Sequence, residues 1–139
     1  YKRQQFIYRN LIRTQQKVSF GDIKISNPKD LHVEHVLPQS AKKWGEDWWK
    51  DDEPTELHQK NLWRIGNLTL LDRTNNVVAG NRIFAEKLEI YSGDQQPKIT
   101  KNIPENYSDW NEVSISARTK AICEQIAINW WDKLDRSED

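Results

Sequence analysis

His32, Glu34 and His35 fall within one short stretch, Leu31 to Ser40, that reads Leu-His-Val-Glu-His-Val-Leu-Pro-Gln-Ser, and two of the chain's three histidines are there. A carboxylate beside an imidazole suits the hydrolysis of a phosphate ester. The carboxylate can hold a metal ion near the leaving oxygen while the imidazole takes a proton from a water attacking in line. On an extended backbone adjacent side chains leave on opposite sides, so Glu34 and His35 can address one phosphate from two faces. Pro38 has no N–H to give to a strand ladder, so the strand ends or bends just past the pair. The plainer reading of the same ten residues is a buried strand whose histidines are satisfied polar groups.

The pair needs elements to position it. Ile65 to Asp72 is short, apolar and β-prone, and reads as a strand pairing with the first. Thr74 or Asn75 then caps a helix running to about Tyr91 and stopped by Ser92-Gly93, with Val77, Phe84, Leu88 and Tyr91 toward the core and Gly80 as a weak or close-approach point. The order strand, bend, strand, helix brings Asn76 into one crevice with Glu34 and His35. Glu34 and Asn76 offer oxygen ligands, which suit magnesium or manganese better than zinc. His35, near the ordinary imidazole pKa of ~6.5, can act as a neutral base.

Around this core, about residues 30–92, the periodicity predicts an amphipathic helix over 2–16 and a short extended segment over 18–25. Trp44, Trp48 and Trp49 predict a short helix, ended by Asp51-Asp52-Glu53-Pro54. Thr55 is a weak cap for a turn toward Leu62 and Trp63, with His58 on its surface. The stretch 94–104, with Pro97 and Pro104, reads as a loop. Ser108 opens a last packing helix over 108–134, where Trp110, Val113, Ala117, Ala121, Ile126, Trp130 and Leu134 recur at helical steps.

At 139 residues the chain fits one domain, residues 1–139. The 21 basic and 21 acidic residues balance, so any grip on nucleic acid must be local. The single Cys123 excludes an internal disulfide and a multi-cysteine zinc cluster, and no apolar run approaches the ~20 residues needed to span a bilayer. Both fit a cytoplasmic setting. The absence of methionine suggests a fragment of a longer protein, and the seven tryptophans read as large core fillers in a polar sequence.

The segments His-Val-Glu-His-Val-Leu-Pro-Gln-Ser and Ile-Gly-Asn-Leu-Thr-Leu-Leu, with Asn76 and the run Asn81-Arg82-Ile83-Phe84-Ala85-Glu86-Lys87, resemble an HNH nuclease of the ββα-metal class. More narrowly they resemble the C-terminal nuclease domain of GmrSD-type modification-dependent restriction enzymes and related phage-defence proteins. The helix from Trp110 to Trp131, with Arg118 in its middle, is similar as well, so the resemblance covers roughly residues 30–131. The first motif is also similar to the HNH domain of RNA-guided CRISPR nucleases, including its Pro-Gln-Ser ending.

The resemblance implies an α+β fold, a ββα hairpin-and-helix core embedded in additional packing helices. It implies a metal-dependent DNA endonuclease, the effector part of a restriction or anti-phage protein, using magnesium or manganese. His35 would be the general base, Glu34 and Asn76 the metal ligands, and Asn67 the residue that fixes the loop carrying the histidine. Many HNH proteins place histidine at both ligand positions, so the metal preference of those versions does not transfer. Asn75 and Asn81 compete with Asn76 for the ligand role. His32, on the face of Glu34 in a regular strand, either touches metal or phosphate or is a hydrogen-bonding neighbour. Arg64, Arg73, Arg82 and Lys87 flank the proposed strand and helix and would hold DNA phosphates without reading sequence. Sensing and nucleotide use would belong to an N-terminal domain absent from this chain. The competing reading is a non-catalytic nucleic-acid or protein-interaction module on the same frame; a zinc peptidase is set aside for want of a His-Glu-x-x-His helix.

Overall fold

The structure, a computed structural model, describes residues 31–135, with side chains as far as residue 128. The expected helix over 2–16, the extended segment over 18–25 and the side chains of Trp130 and Leu134 lie outside the described residues. In chain order the elements are β1 (Leu31–His35), β2 (Trp49–Lys50), β3 (Glu53–Pro54), α1 (Glu56–Leu62), a 3-10 turn (Ile65–Asn67), β4 (Leu68–Asp72), α2 (Arg73–Ala79), α3 (Phe84–Tyr91), α4 (Lys98–Asn106) and α5 (Glu112–Asp135). The fold is α+β. Its strands make two small antiparallel sheets among the described residues.

β1 and β4 pair with Val33 opposite Leu70, Glu34 opposite Thr69 and His35 opposite Leu68. Side chains alternate across this ribbon. Leu31, Val33, Leu68 and Leu70 therefore join Ile99 and Ile122 in one buried cluster. Leu71 points the other way, into a larger cluster with Val36, Leu37, Phe84, Tyr91, Ile103, Trp110 and Ile115. Burying a leucine of this kind stabilises by about 1.5–3 kcal/mol, so a ribbon buried on both faces is held without a wider sheet.

Tertiary contacts changed several elements from their sequence-based expectation. The expected strand from Ile65 begins at Leu68, because the turn before it is committed to α5. A Cβ on Gly66 would stand 2.2 Å from the Ile115 carbonyl oxygen and 2.6 Å from the Thr119 nitrogen, so only glycine permits this approach. The buried Arg118 guanidinium donates to the Gly66 and Leu68 carbonyls at 2.7 and 2.6 Å and to Ile99 at 3.2 Å. Those donations lock α5 and α4 to the start of β4.

The long helix expected up to Tyr91 is two helices. Asp72, and neither Thr74 nor Asn75, is the N-cap of α2, its Oδ1 accepting from the Asn75 N–H at 3.0 Å. Gly80, at φ 37°, ends α2. The helical phase restarts at Phe84, which leaves Val77 exposed while Phe84 and Tyr91 are buried. Residues 98–106, expected as loop, form α4: its two prolines mask the pair Ile99 and Ile103, both buried, and the Thr100 hydroxyl bonds Thr69 Oγ1 and the Leu70 carbonyl. The Trp44 to Trp49 stretch is a series of turns leading into the β2–β3 hairpin. Asp51 and Asp52 both take positive φ there, as the two central residues of a type I′ hairpin turn do. Finally, α5 starts after Ser108, with Asn111 Oδ1 accepting from the Ser114 N–H at 3.0 Å. Among the described residues no helix is long and apolar enough to cross a membrane.

Candidate active site

A cleft of about 240 Å³ opens where β1 ends, lined by Glu34 and His35 from the strand, Pro38 and Gln39 from the bend, and Asn76 and Asn81 from α2 and the turn after it. The antiparallel pairing sets the start of α2 beside Leu31, at the beginning of β1, and the helix then runs back toward the end of the strand, so that residues some forty positions apart in sequence meet at the cleft. His32 is half-buried and does not line the cleft. Asn75 is turned to its own cap, its Nδ2 donating to Asp72 Oδ2 at 2.5 Å.

Glu34 is 4% exposed, and a buried carboxylate needs partners. Two come from one face of α3, four residues apart: Lys87 Nζ at 2.6 Å and Tyr91 Oη at 3.0 Å, both on Oε1. Oε2 is the oxygen left for a further ligand. Burial pushes the Glu34 carboxyl up, against the pull of the Lys87 ammonium and the hydrogen bonds from Lys87 and Tyr91. Burial likewise pushes Lys87 down, against the pull of Glu34, and drives the Tyr91 phenol well above its ordinary range. Lys87 also donates to the His35 carbonyl at 2.8 Å. This corrects its expected place: with no exposed side-chain surface, Lys87 cannot reach DNA phosphates, because the carboxylate it neutralises is buried with it.

The His35 ring packs edge-on against Trp63, ring centroids 4.5 Å apart. Burial, then the positive charge of Lys87 and then His58, lowers its pKa to about 4. The expectation of an ordinary value is thereby corrected, and the ring is neutral across the physiological range with margin. Its Nε2 is enclosed and has no hydrogen-bond partner, a state that buried polar atoms seldom keep without a functional reason.

The bend after His35 is held from two sides. Asn67, fully buried, accepts from the Leu37 N–H at 2.8 Å and the Trp110 indole at 3.0 Å, and donates to the Leu37 and Leu62 carbonyls, each at 3.0 Å. The Val36 N–H donates to the Asn67 carbonyl at 2.9 Å. On the other side His58 donates from Nε2 to the Pro38 carbonyl at 2.8 Å. His58 is thus not a surface residue: α1, capped by Thr55 as expected, turns it inward, where it is 2% exposed.

Among the expected phosphate contacts, Arg73 and Arg82 are exposed, with Arg82 Nε donating to the Val78 carbonyl at 2.9 Å. Arg64 is half-buried and engaged with Asn61 at 3.1 Å and Ser116 at 2.9 Å. Sequence reasoning missed Tyr91 and the true role of Lys87, although their spacing of four on a helix was a usable signal. Nothing local marked Trp63 or His58.

Chemically, the cleft gathers one free carboxylate oxygen, three side-chain amides (Gln39, Asn76 and Asn81) and a neutral imidazole. No group of three or more His, Cys, Asp or Glu suited to a metal ion occurs among the described residues, so any ion here would rest on Glu34 and neutral amide oxygens. That donor set fits a hard cation that keeps several waters. No curated protein and no solved structure matches the chain. The family described as GmrSD restriction endonucleases, C-terminal domain, matches residues 1–125, a span that contains every residue of the cleft. The chain therefore belongs to that family of restriction-endonuclease C-terminal domains.

Proposed function

We propose that this domain is a metal-dependent DNA endonuclease of the HNH (ββα-metal) type, hydrolysing phosphodiester bonds as the cutting part of a restriction or anti-phage enzyme. The observation that carries the reading is the convergence of Glu34, His35 and Asn76 on one cleft, with the imidazole kept neutral by burial and the nearby Lys87 charge. A domain that merely binds has no use for that set together. The sequence of antiparallel pair and following helix, β1, β4 and α2, supports the ββα assignment.

In this reading Glu34, through Oε2, and Asn76, through its amide oxygen, would hold one magnesium or manganese ion, with Asn81 the alternative amide. Bound there, the ion would supply charge stabilisation at the phosphate and leaving oxygen. The residues of the chain do the rest. His35 accepts a proton from the attacking water at Nδ1, the ring nitrogen that is not enclosed. Lys87 holds the His35 carbonyl, and Asn67 and His58 hold the bend that follows, so the imidazole is placed before substrate arrives. Arg73 and Arg82 grip DNA phosphates, with Arg64 the less available third. Sensing of modified DNA falls to an N-terminal partner domain.

Calorimetric titration with manganese tests the ligands. Glu34→Ala and Asn76→Ala should each weaken binding roughly tenfold or more, since groups that merely orient a ligand are worth that much. Unchanged affinity in both would move the site to Asn81 and His32. Nicking of supercoiled plasmid, with magnesium, manganese or chelator, tests the activity; a folded chain that cuts in no metal would favour a binding module. Two or three phosphate contacts contribute about 0.9 each to the log–log salt slope, a shallow dependence of weak binding. Cleavage should accordingly be slow, indifferent to base modification and suppressed by moderate salt. Strong discrimination between modified and unmodified duplexes of one sequence by this chain alone would place recognition here instead.

A further inference from the structure

We infer that Lys87 and Tyr91 set which divalent ion the cleft accepts, by occupying Oε1 of Glu34 and leaving a single carboxylate oxygen for the metal. The inference rests on Glu34 being a ligand. Both donors come from the inner face of α3 and reach the same oxygen, at 2.6 and 3.0 Å. Neither can swing aside. Lys87 Nζ is also tied to the His35 carbonyl at 2.8 Å, and both side chains are fully buried. The helix behind them is anchored by Phe84, stacked on Trp110 with ring centroids 5.2 Å apart. The break at Gly80 makes the arrangement possible, because α2 can then present Asn76 to the cleft while α3 turns back behind Glu34.

The consequence follows from the different demands of hard cations. Calcium takes about six to eight oxygens at ~2.3–2.6 Å and readily uses both oxygens of one carboxylate. Magnesium, and manganese of the same preference for octahedral oxygen sites, is content with one carboxylate oxygen and completes its shell with water. A carboxylate with one oxygen already committed therefore penalises calcium more. The ammonium also offsets the charge of Glu34, but that effect is common to all divalent ions and cancels in a ratio of affinities.

The test is calorimetric titration of the 139-residue chain with manganese and with calcium, comparing wild type, Lys87→Met, Tyr91→Phe and Glu34→Ala. Wild type should prefer manganese. Lys87→Met, which fills the same space without the ammonium, should shift the affinity ratio toward calcium by about tenfold or more, the scale on which groups behind a ligand act. Tyr91→Phe should shift it the same way by less. If Lys87→Met does not fold, a known outcome when one partner of a buried pair is removed, Tyr91→Phe alone decides. A ratio unchanged in the folded variants, with Glu34→Ala still losing manganese, would overturn the selectivity role and leave the ligand assignment standing. Full manganese and calcium binding by Glu34→Ala would overturn both.

Discussion

Replacing His35 with alanine is expected to lower plasmid cleavage by about 100- to 10,000-fold, the usual cost of removing a general base. Manganese affinity should stay close to wild type, because the imidazole is assigned to the water and the ion to Glu34 and Asn76. The pH profile adds a second measurement. With its pKa lowered to about 4, His35 stays unprotonated through the range where an ordinary histidine would titrate. The histidine limb should therefore be flat near pH 6.5 and fall only toward pH 4. The same shift bears on stability. An unfolded chain takes up that proton near ~6.5, the native one near 4, so the contribution of neutral His35 is complete above the first value and is lost as pH falls through the second. Cleavage by His35→Ala within a few-fold of wild type would remove His35 from the role of base, whereas a limb centred at pH 6.5 would overturn the lowered pKa and leave the role standing.

The second large effect is expected at Asn67, and it is one of stability first. Asn67→Ala deletes four buried hydrogen bonds and leaves the Leu37 N–H, the Leu37 and Leu62 carbonyls and the Trp110 indole to find other partners. Each unsatisfied buried group costs about 1–3 kcal/mol, so a loss of at least ~3 kcal/mol in denaturant unfolding is expected even after relaxation. Asn67→Asp should be no milder, since it would face two carbonyl oxygens with a carboxylate oxygen in place of an N–H donor. Cleavage should fall in both variants under conditions where they are still folded, because Leu37 stands two residues beyond His35. A loss below ~1 kcal/mol, the net worth of one ordinary hydrogen bond, would mean that the bend is held by other contacts.

What could be read along the chain follows the range of the forces involved. Glu34, His35 and Asn76 were legible because strand alternation, a proline stop and a short antiparallel connection are local rules, and they suffice to bring those three to one place. Lys87 was misread because a lysine is ordinarily solvated, and because a helix continued through Gly80 puts it in the wrong phase. Its partner is a carboxylate in another element, which no window of sequence contains. The acidity of His35 was hidden for the same reason: it depends on burial, on Lys87 and on His58, each supplied by a different segment. Helix α4 escaped notice since Pro97 and Pro104 dominate any local reading, while Ile99 and Ile103 reveal their purpose only against β4 and α5.

The wide sequence spacing of the contacts that complete the cleft has a consequence for the chain while it is being made. Leu37 waits for Asn67, Glu34 for Lys87, and the Gly66 carbonyl for Arg118, separations of 30, 53 and 52 residues. Synthesis runs from the N-terminus, so Glu34 and His35 leave the ribosome long before the groups that orient them, and loops of that length close only when both ends are present. A nascent chain that has reached Glu34 and His35 carries the proposed catalytic pair without the cleft that would position it. On the proposed reading, cutting power then arrives late, once the early turns of α5 that hold Arg118 emerge, and a cell making such a nuclease is spared a half-built one.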